Sequence, residues 1–304
     1  MACRIRARWY EVLSIALICS MGGFSSCVAD GATDGRAARS PAVFVAYGHV
    51  LEVDLDRARV ADRGTLHVTA PSVAAAPDGT FWGRTASSAV GTALTGGRRP
   101  RSVLLSDAPY VVVHDGRRML YVGHTAVRAG SARVSVVDTI RDAVEPAWYD
   151  VPGPVTDLAL ADTTLYVASI AVSPEPSARL TWYATDREPA AGSRSPETIL
   201  DGSDGHVQYR LGAWGDDLYV ATLTGRSTMA PVLRRVRDGR VVAVSRLDLF
   251  APVTHVVGRP VVAGFEVCVP VLLDGRQPAI AFVDPVDLML VDLFTVDLPV
   301  SAVV

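Results

Sequence analysis

From about residue 41 to the C-terminus, short apolar runs of four to eight residues alternate with polar turns rich in Gly, Asp and Ser, the period-two pattern of half-buried strands. No stretch of this region longer than about 12 residues keeps a 3.6-residue apolar period, so helices are not expected to build the fold. Five of the runs repeat one theme: Asp78-Gly-Thr-Phe-Trp-Gly83, Asp115-Gly-Arg-Arg-Met-Leu-Tyr-Val-Gly123, Ala161-Asp-Thr-Thr-Leu-Tyr-Val-Ala168, Gly215-Asp-Asp-Leu-Tyr-Val-Ala221 and Gly258-Arg-Pro-Val-Val-Ala263. With Trp82, Tyr121, Tyr166, Tyr219 and Val262 taken as equivalent, the steps are 39, 45, 53 and 43 residues. Such steps fit one strand-built blade of about 40 to 50 residues each.

A strand precedes each turn, as in Val111-Val-Val-His114, Val155-Thr-Asp-Leu-Ala-Leu160 and Val207-Gln-Tyr-Arg-Leu211, which makes hairpins. A second set of strands ends on Asp: Arg133-Val-Ser-Val-Val-Asp138, Arg179-Leu-Thr-Trp-Tyr-Ala-Thr-Asp186, Leu233-Arg-Arg-Val-Arg-Asp238 and Ile280-Ala-Phe-Val-Asp284. The two sets divide the chain into units near 41–70, 71–108, 109–153, 154–205, 206–251 and 252–286. The expected fold is all-β, a β-propeller of six blades within a single domain over residues 41–304, with seven blades as the alternative count. Blade one lacks an obvious innermost strand, so the tail Asp287 to Val300 is expected to supply it and close the ring. The repeated Tyr residues are expected between adjacent blades.

The run Asp115 to Gly123 followed by Arg133 to Asp138 resembles the repeats of bacterial extracytoplasmic propellers of the YVTN-like or NHL-like kind. The resemblance weakens over residues 71–108 and 252–304. It implies a propeller outside the cytoplasm; members of those families include binding scaffolds, interaction modules and some enzymes, so it transfers no activity.

The N-terminus carries Arg4, Arg6 and Arg8 ahead of the apolar run Val12 to Phe24, which is too short to span a bilayer comfortably and reads as a signal peptide over residues 1–26. Phe24-Ser-Ser-Cys27 resembles the bacterial lipobox, although Phe replaces the usual Leu; it implies a lipidated Cys27, a flexible tether over residues 27–40 and an anchor on the extracytoplasmic face of a membrane. Plain secretion is the alternative location. All 29 basic residues are Arg, and the chain has neither Lys nor Asn, as a genome rich in G and C would produce. Without Asn there is no N-glycosylation acceptor. Removing residues 1–26 leaves a net charge of about −5, which offers nucleic acid no electrostatic footprint.

Candidate chemistry is sparse. There is no nucleophile elbow, P-loop, dinucleotide fingerprint or paired-Cys metal motif. His114 and His255 sit in apolar strands, whereas His124 and His206 adjoin blade transitions and are the candidate catalytic residues, to be joined by loop Asp residues. Trp148, Tyr149, Asp150 and Trp214 are the candidate ligand contacts. Asp201, Ser203 and Asp204 form an oxygen-rich loop of the type that Ca²⁺ favours, without EF-hand spacing; the plain-turn reading is preferred, and no cofactor is expected. Cys268 lies in an apolar run and reads as a buried thiol. The expected function is a non-enzymatic binding or protein-interaction scaffold of the cell envelope, with an envelope protein or glycan as partner. The alternative is a secreted hydrolase or lyase acting on a carbohydrate or peptide-like envelope substrate.

Overall fold

The computed structural model describes residues 26–28, 42–46, 49–54, 59–65, 73–76, 78, 80–85, 88–92, 100–128, 130–171, 177–185, 197–201, 208–223, 231–247, 252–256, 259–263, 266–274 and 277–295. These residues form six antiparallel sheets, met in chain order. The first holds β1 (Ser26–Val28), β2 (Ala42–Ala46), β3 (His49–Asp54) and β4 (Arg59–Thr65); the second holds β5 (Val73–Ala75), β6 (Phe81–Arg84), β7 (Ala89–Thr92) and β8 (Ser102–Leu104). The third holds β9 (Pro109–His114), β10 (Met119–His124), β11 (Ala132–Asp138) and β12 (Ala143–Val151); the fourth holds β13 (Val155–Ala161), β14 (Thr164–Ala171), β15 (Ser177–Ala184) and β16 (Glu197–Leu200). The fifth holds β17 (Gln208–Trp214), β18 (Asp217–Leu223), β19 (Val232–Arg237) and β20 (Arg240–Arg246). The sixth holds β21 (Val253–Val256), β22 (Val261–Ala263), β23 (Glu266–Leu273), β24 (Gln277–Val283) and β25 (Leu290–Thr295).

Local sequence explains the meanders. Val, Leu, Ile and Tyr fill the strands, and tight turns carry residues suited to positive φ. In the β19–β20 hairpin, Asp238 and Gly239 both have positive φ, 49° and 70°, as a two-residue turn matching strand twist requires. Successive sheets then pack face to face. β1 and β2 lie against β5, β5 and β6 against β9, and β9 against β13; β13 lies against β17, and β17 and β18 against β22 and β21. Four apolar cores fill the interfaces from the second sheet to the sixth. Trp82, Leu120 and Val122 belong to one, Tyr121, Leu158 and Tyr183 to the next, Tyr166, Leu211 and Val236 to the third, and Tyr219, Val267 and Leu288 to the fourth. Each fully buried side chain of this size contributes about 1.5 to 3 kcal/mol.

The repeated aromatic residue has one job in four sheets. Trp82, Tyr121, Tyr166 and Tyr219 all stand on the second strand of their sheets. Each Tyr hydroxyl engages the following sheet at the turn between its third and fourth strands. Tyr121 reaches the side chain of Thr185, Tyr166 the backbone of Gly239, and Tyr219 donates to the Pro285 carbonyl at 3.2 Å. Trp82 takes that place in the second sheet, where the Arg101 guanidinium lies 5.1 Å from the ring centroid and ion-pairs with Asp142 in the corresponding turn of the third sheet at 2.6 Å. These contacts align the hairpin ends of five sheets, the second to the sixth, so all sheets they join point the same way.

Three expectations change. Val262 is not equivalent to the tyrosines: it lies in β22, which pairs with β23 on the inner side, so β23 is the second strand. The inner strand is broken into β21 and β22 because the ladder stops after Val256, opposite Val271, and resumes at Val261, opposite Cys268; Pro260 cannot donate to a ladder. The C-terminal strand does not enter the first sheet. β25 pairs with β24 as the outermost strand of the sixth, a local hairpin across the Asp284–Met289 turn that costs less loop-closure entropy than a crossing to another sheet. The innermost strand of the first sheet is instead β1, in which Cys27 pairs with Val43; the sheet therefore begins inside the segment read as a tether, the rest of which lies outside the described residues.

Candidate functional site

The expected ligand contacts Trp148, Tyr149 and Asp150 lie on β12, paired with β11 in the register Ser135 to Trp148, Val134 to Tyr149 and Arg133 to Asp150. Strand alternation therefore divides them. Tyr149 points into the core, 2% exposed, with its ring 4.9 Å from Tyr183 in an edge contact and 6.3 Å from Tyr121. The Tyr183 hydroxyl donates to the Asp150 carbonyl at 2.6 Å and so fixes this strand against the fourth sheet. Burial pushes the Tyr183 hydroxyl pKa far above its ordinary value, so it stays a donor.

Arg133, Ser135, Trp148 and Asp150 share the other face. The Arg133 guanidinium sits 4.6 Å from the Trp148 ring centroid, and the indole Nε1 donates to Asp150 Oδ1 at 3.2 Å. Trp148, Arg133 and Asp150 are each half-buried, so an aromatic ring is held between a cation and a carboxylate at the protein surface. Arg133 was not among the sequence candidates, yet the alternation Arg133-Val-Ser135-Val carried the signal, since it places Arg133 and Ser135 on the side opposite the valines.

His124 lies beneath this face, 1% exposed. Its Nε2 is 2.9 Å from Ser135 Oγ and its Nδ1 is 3.2 Å from the Ala108 carbonyl. Burial lowers its pKa, against the opposing pull of the Ala108 carbonyl and Asp107, so the ring is neutral. Both ring nitrogens are thus occupied inside the protein. His206, Ser203 and Asp204 lie outside the described residues, and Asp201 is exposed at the end of β16. Trp214 is 44% exposed at the β17–β18 hairpin. That hairpin is at the end of its sheet equivalent to the Asp115 turn, whereas Asp150 lies toward the other end of the third sheet, so Trp214 and Trp148 are not brought together.

One polar group in the interior escaped sequence reading. Asp157 on β13 is fully buried, and its carboxylate accepts from the backbone of Leu158 at 2.9 Å and from Leu211 of β17 at 3.0 Å. Arg259, in the break between β21 and β22, donates to both its oxygens, with Nε at 3.1 Å from Oδ2. The fourth, fifth and sixth sheets therefore meet at one ion pair. Elsewhere the charges hold single sheets or neighbours: Arg118 with Asp138, and Arg237 with Asp217 at 2.6 Å, occupy matching strand ends with the signs exchanged. Among the described residues no group of three or more His, Cys, Asp or Glu is placed to hold a metal ion. No helix among them is long and apolar enough to cross a membrane.

The sheets and their order define a propeller-like, repeat β-sheet fold. Solved structures bear this out at the level of fold alone. The chain is similar to the hydrazine synthase of Kuenenia stuttgartiensis (TM-score 0.57, 14% identity, 83% of this chain and 80% of that one). It is similar also to the WD40 repeats of RRP9 (0.55, 12%, 90% and 84%) and to an apocarotenoid oxygenase of Synechocystis (0.53, 10%, 84% and 70%). No family model matches the chain. No curated protein matches it either.

Proposed function

We propose that the six sheets close into a six-bladed β-propeller, exported from the cytoplasm and anchored through a lipidated Cys27, that serves as a non-enzymatic binding scaffold of the cell envelope. The face formed by Arg133, Trp148 and Asp150 is its contact surface, and an envelope protein or glycan is the partner. An indole flanked by a guanidinium and a carboxylate can stack on a sugar ring or a planar peptide group while the charges take its hydrogen bonds. The observation that carries this reading is the state of His124. With Nδ1 and Nε2 both engaged and the ring 1% exposed, it supplies no proton-transfer group beside Trp148. The packing of each sheet on the next from the first to the sixth forms the arc that closure would complete.

The test uses the full-length protein in detergent, screened against envelope glycans and envelope proteins for saturable capture and, in parallel, for turnover. Capture that weakens about tenfold or more in Trp148→Ala supports the scaffold. Turnover lost in His124→Ala or His206→Ala overturns it in favour of a hydrolase or lyase. The anchor is tested separately: Cys27→Ser should release the protein from the membrane fraction, and unchanged retention contradicts lipidation.

A further inference from the structure

Exposed large apolar side chains are unevenly spread. Eleven are found among the described residues, and six of them lie on the rims of the fifth and sixth sheets: Val241, Val242 and Val244 on β20, and Val286, Met289 and Val291 on the β24–β25 turn and β25. Clustered rim positions of this kind call for a cover, since scattered ones would not. The two rims differ in charge. β20 begins at Arg240 and ends at Arg246 with no carboxylate between them, whereas residues 284–292 carry Asp284, Asp287 and Asp292 and no base. The whole fifth unit, residues 206–251, holds seven Arg against four Asp in a chain whose net charge is −3.

We infer that a second copy of this chain covers both rims, β20 of each protomer meeting the β24–β25 region of its partner about a two-fold axis. β20 and β25 are both fourth strands and leave their turns at the same end of the molecule. A two-fold axis between them, perpendicular to the strands, reverses direction and exchanges sides, so each basic rim meets an acidic one antiparallel, twice. The Arg246 end of β20 then faces the partner's Asp287, and the Arg240 end faces the partner's Asp292. Main-chain pairing is not the contact. Both strands are bulged, with Val242 the extra residue of β20 and Val291 that of β25, which bends each edge away from a continuous ladder. The valines and Met289 pack across the interface, and the charges select the partner and its direction.

The mass of the full-length protein in detergent, measured by light scattering over a concentration series, tests this. A dimer is expected, and Val242→Lys should give a monomer with an unchanged thermal transition. Arg246→Asp and Asp287→Arg should each weaken dimerisation about tenfold, through like-charge contacts, and their combination should restore it. A monomer at every concentration overturns the inference, as does a dimer indifferent to Val242→Lys or a double variant that stays dissociated. These variants leave Trp148, Arg133 and Asp150 untouched, so failure here and failure of the contact surface are distinguishable.

Discussion

At the scale of single residues, the buried polar groups decide most. Asp157 and Arg259 stand 102 positions apart and are both withdrawn from water, their side chains 0% and 9% exposed. Removing Arg259 leaves a buried carboxylate whose remaining partners are backbone amides, so Arg259→Ala should lower unfolding free energy by about 3 to 5 kcal/mol. Urea unfolding checks this, and a loss below about 1 kcal/mol would show that the pair is hydrated in solution. Histidine gives a pH signature. Burial lowers the pKa of both His114 and His124, so in acid the unfolded chain takes up protons near pH 6.5 that the folded chain refuses. Stability is therefore complete above about pH 6.5 and falls as the pH drops through and below that value. His124→Gln should make the fall between about pH 7 and 5 shallower, and an unchanged slope in thermal melts would contradict a buried neutral ring. The reading of Cys268 as a core thiol agrees with its burial, which pushes its pKa up to about 12. Asp157 was legible only as an oddity, a carboxylate inside an apolar strand. Its partner is an Arg in the last unit, and nothing local in sequence joins the two.

At the scale of elements, hairpins were the most legible feature because turn chemistry and strand alternation are local. The units expected over residues 71–251 each contain one sheet, whereas the last, 252–286, stops short of β25, and Ala86 to Gly97, where the repeat is faintest, contains the short strand β7. The inner strand of the last sheet was misread. Val262 keeps the spacing of the repeat but not its place, since the break at Arg259 and Pro260 moves it to the inner side of β23. Tyr recurrence had a physical cause that spacing alone did not supply, namely a hydroxyl that reaches the next sheet's turn. The Pro285 carbonyl accepts from the Tyr219 hydroxyl at 3.2 Å and from Arg235 Nη1 at 3.0 Å. Tyr219→Phe keeps the buried ring and leaves Arg235 on that carbonyl, so its cost should be about 1 kcal/mol. Tyr219→Ala removes the ring as well and should cost about 3 to 5 kcal/mol. Equal losses in the two variants, measured by urea unfolding, would mean that the hydroxyl and not the ring carries the contact. The outer strands show a shared device: β4, β12, β16, β20 and β25 are each irregular where they pair with the third strand. Bulging keeps exposed edges from pairing indiscriminately.

At the scale of the whole molecule, the repeat length gave the class of fold from sequence, and the order of packing agrees with it. The candidate surface was half legible: Trp148 and Asp150 were singled out from sequence, whereas Arg133 and the burial of Tyr149 follow from strand register. Closure was placed on the wrong strand, because a strand-like tail looks the same whether it pairs with its neighbour or across the molecule. If the ring is closed, the sixth sheet rests against the first, and the hairpin ends aligned by the tyrosines form one continuous face. Spin labels on the outer strands measure this directly, with cysteines at Ala61 on β4, Val144 on β12, Thr198 on β16 and Thr295 on β25, in a Cys3→Ser, Cys19→Ser, Cys27→Ser, Cys268→Ala background. The closed ring predicts that the Ala61 to Thr295 distance exceeds the Val144 to Thr198 distance between neighbouring sheets only by the offset of Thr295 along its strand and is shorter than Ala61 to Thr198 across the ring. An Ala61 to Thr295 distance longer than Ala61 to Thr198 would mean an open arc of sheets and would contradict the account.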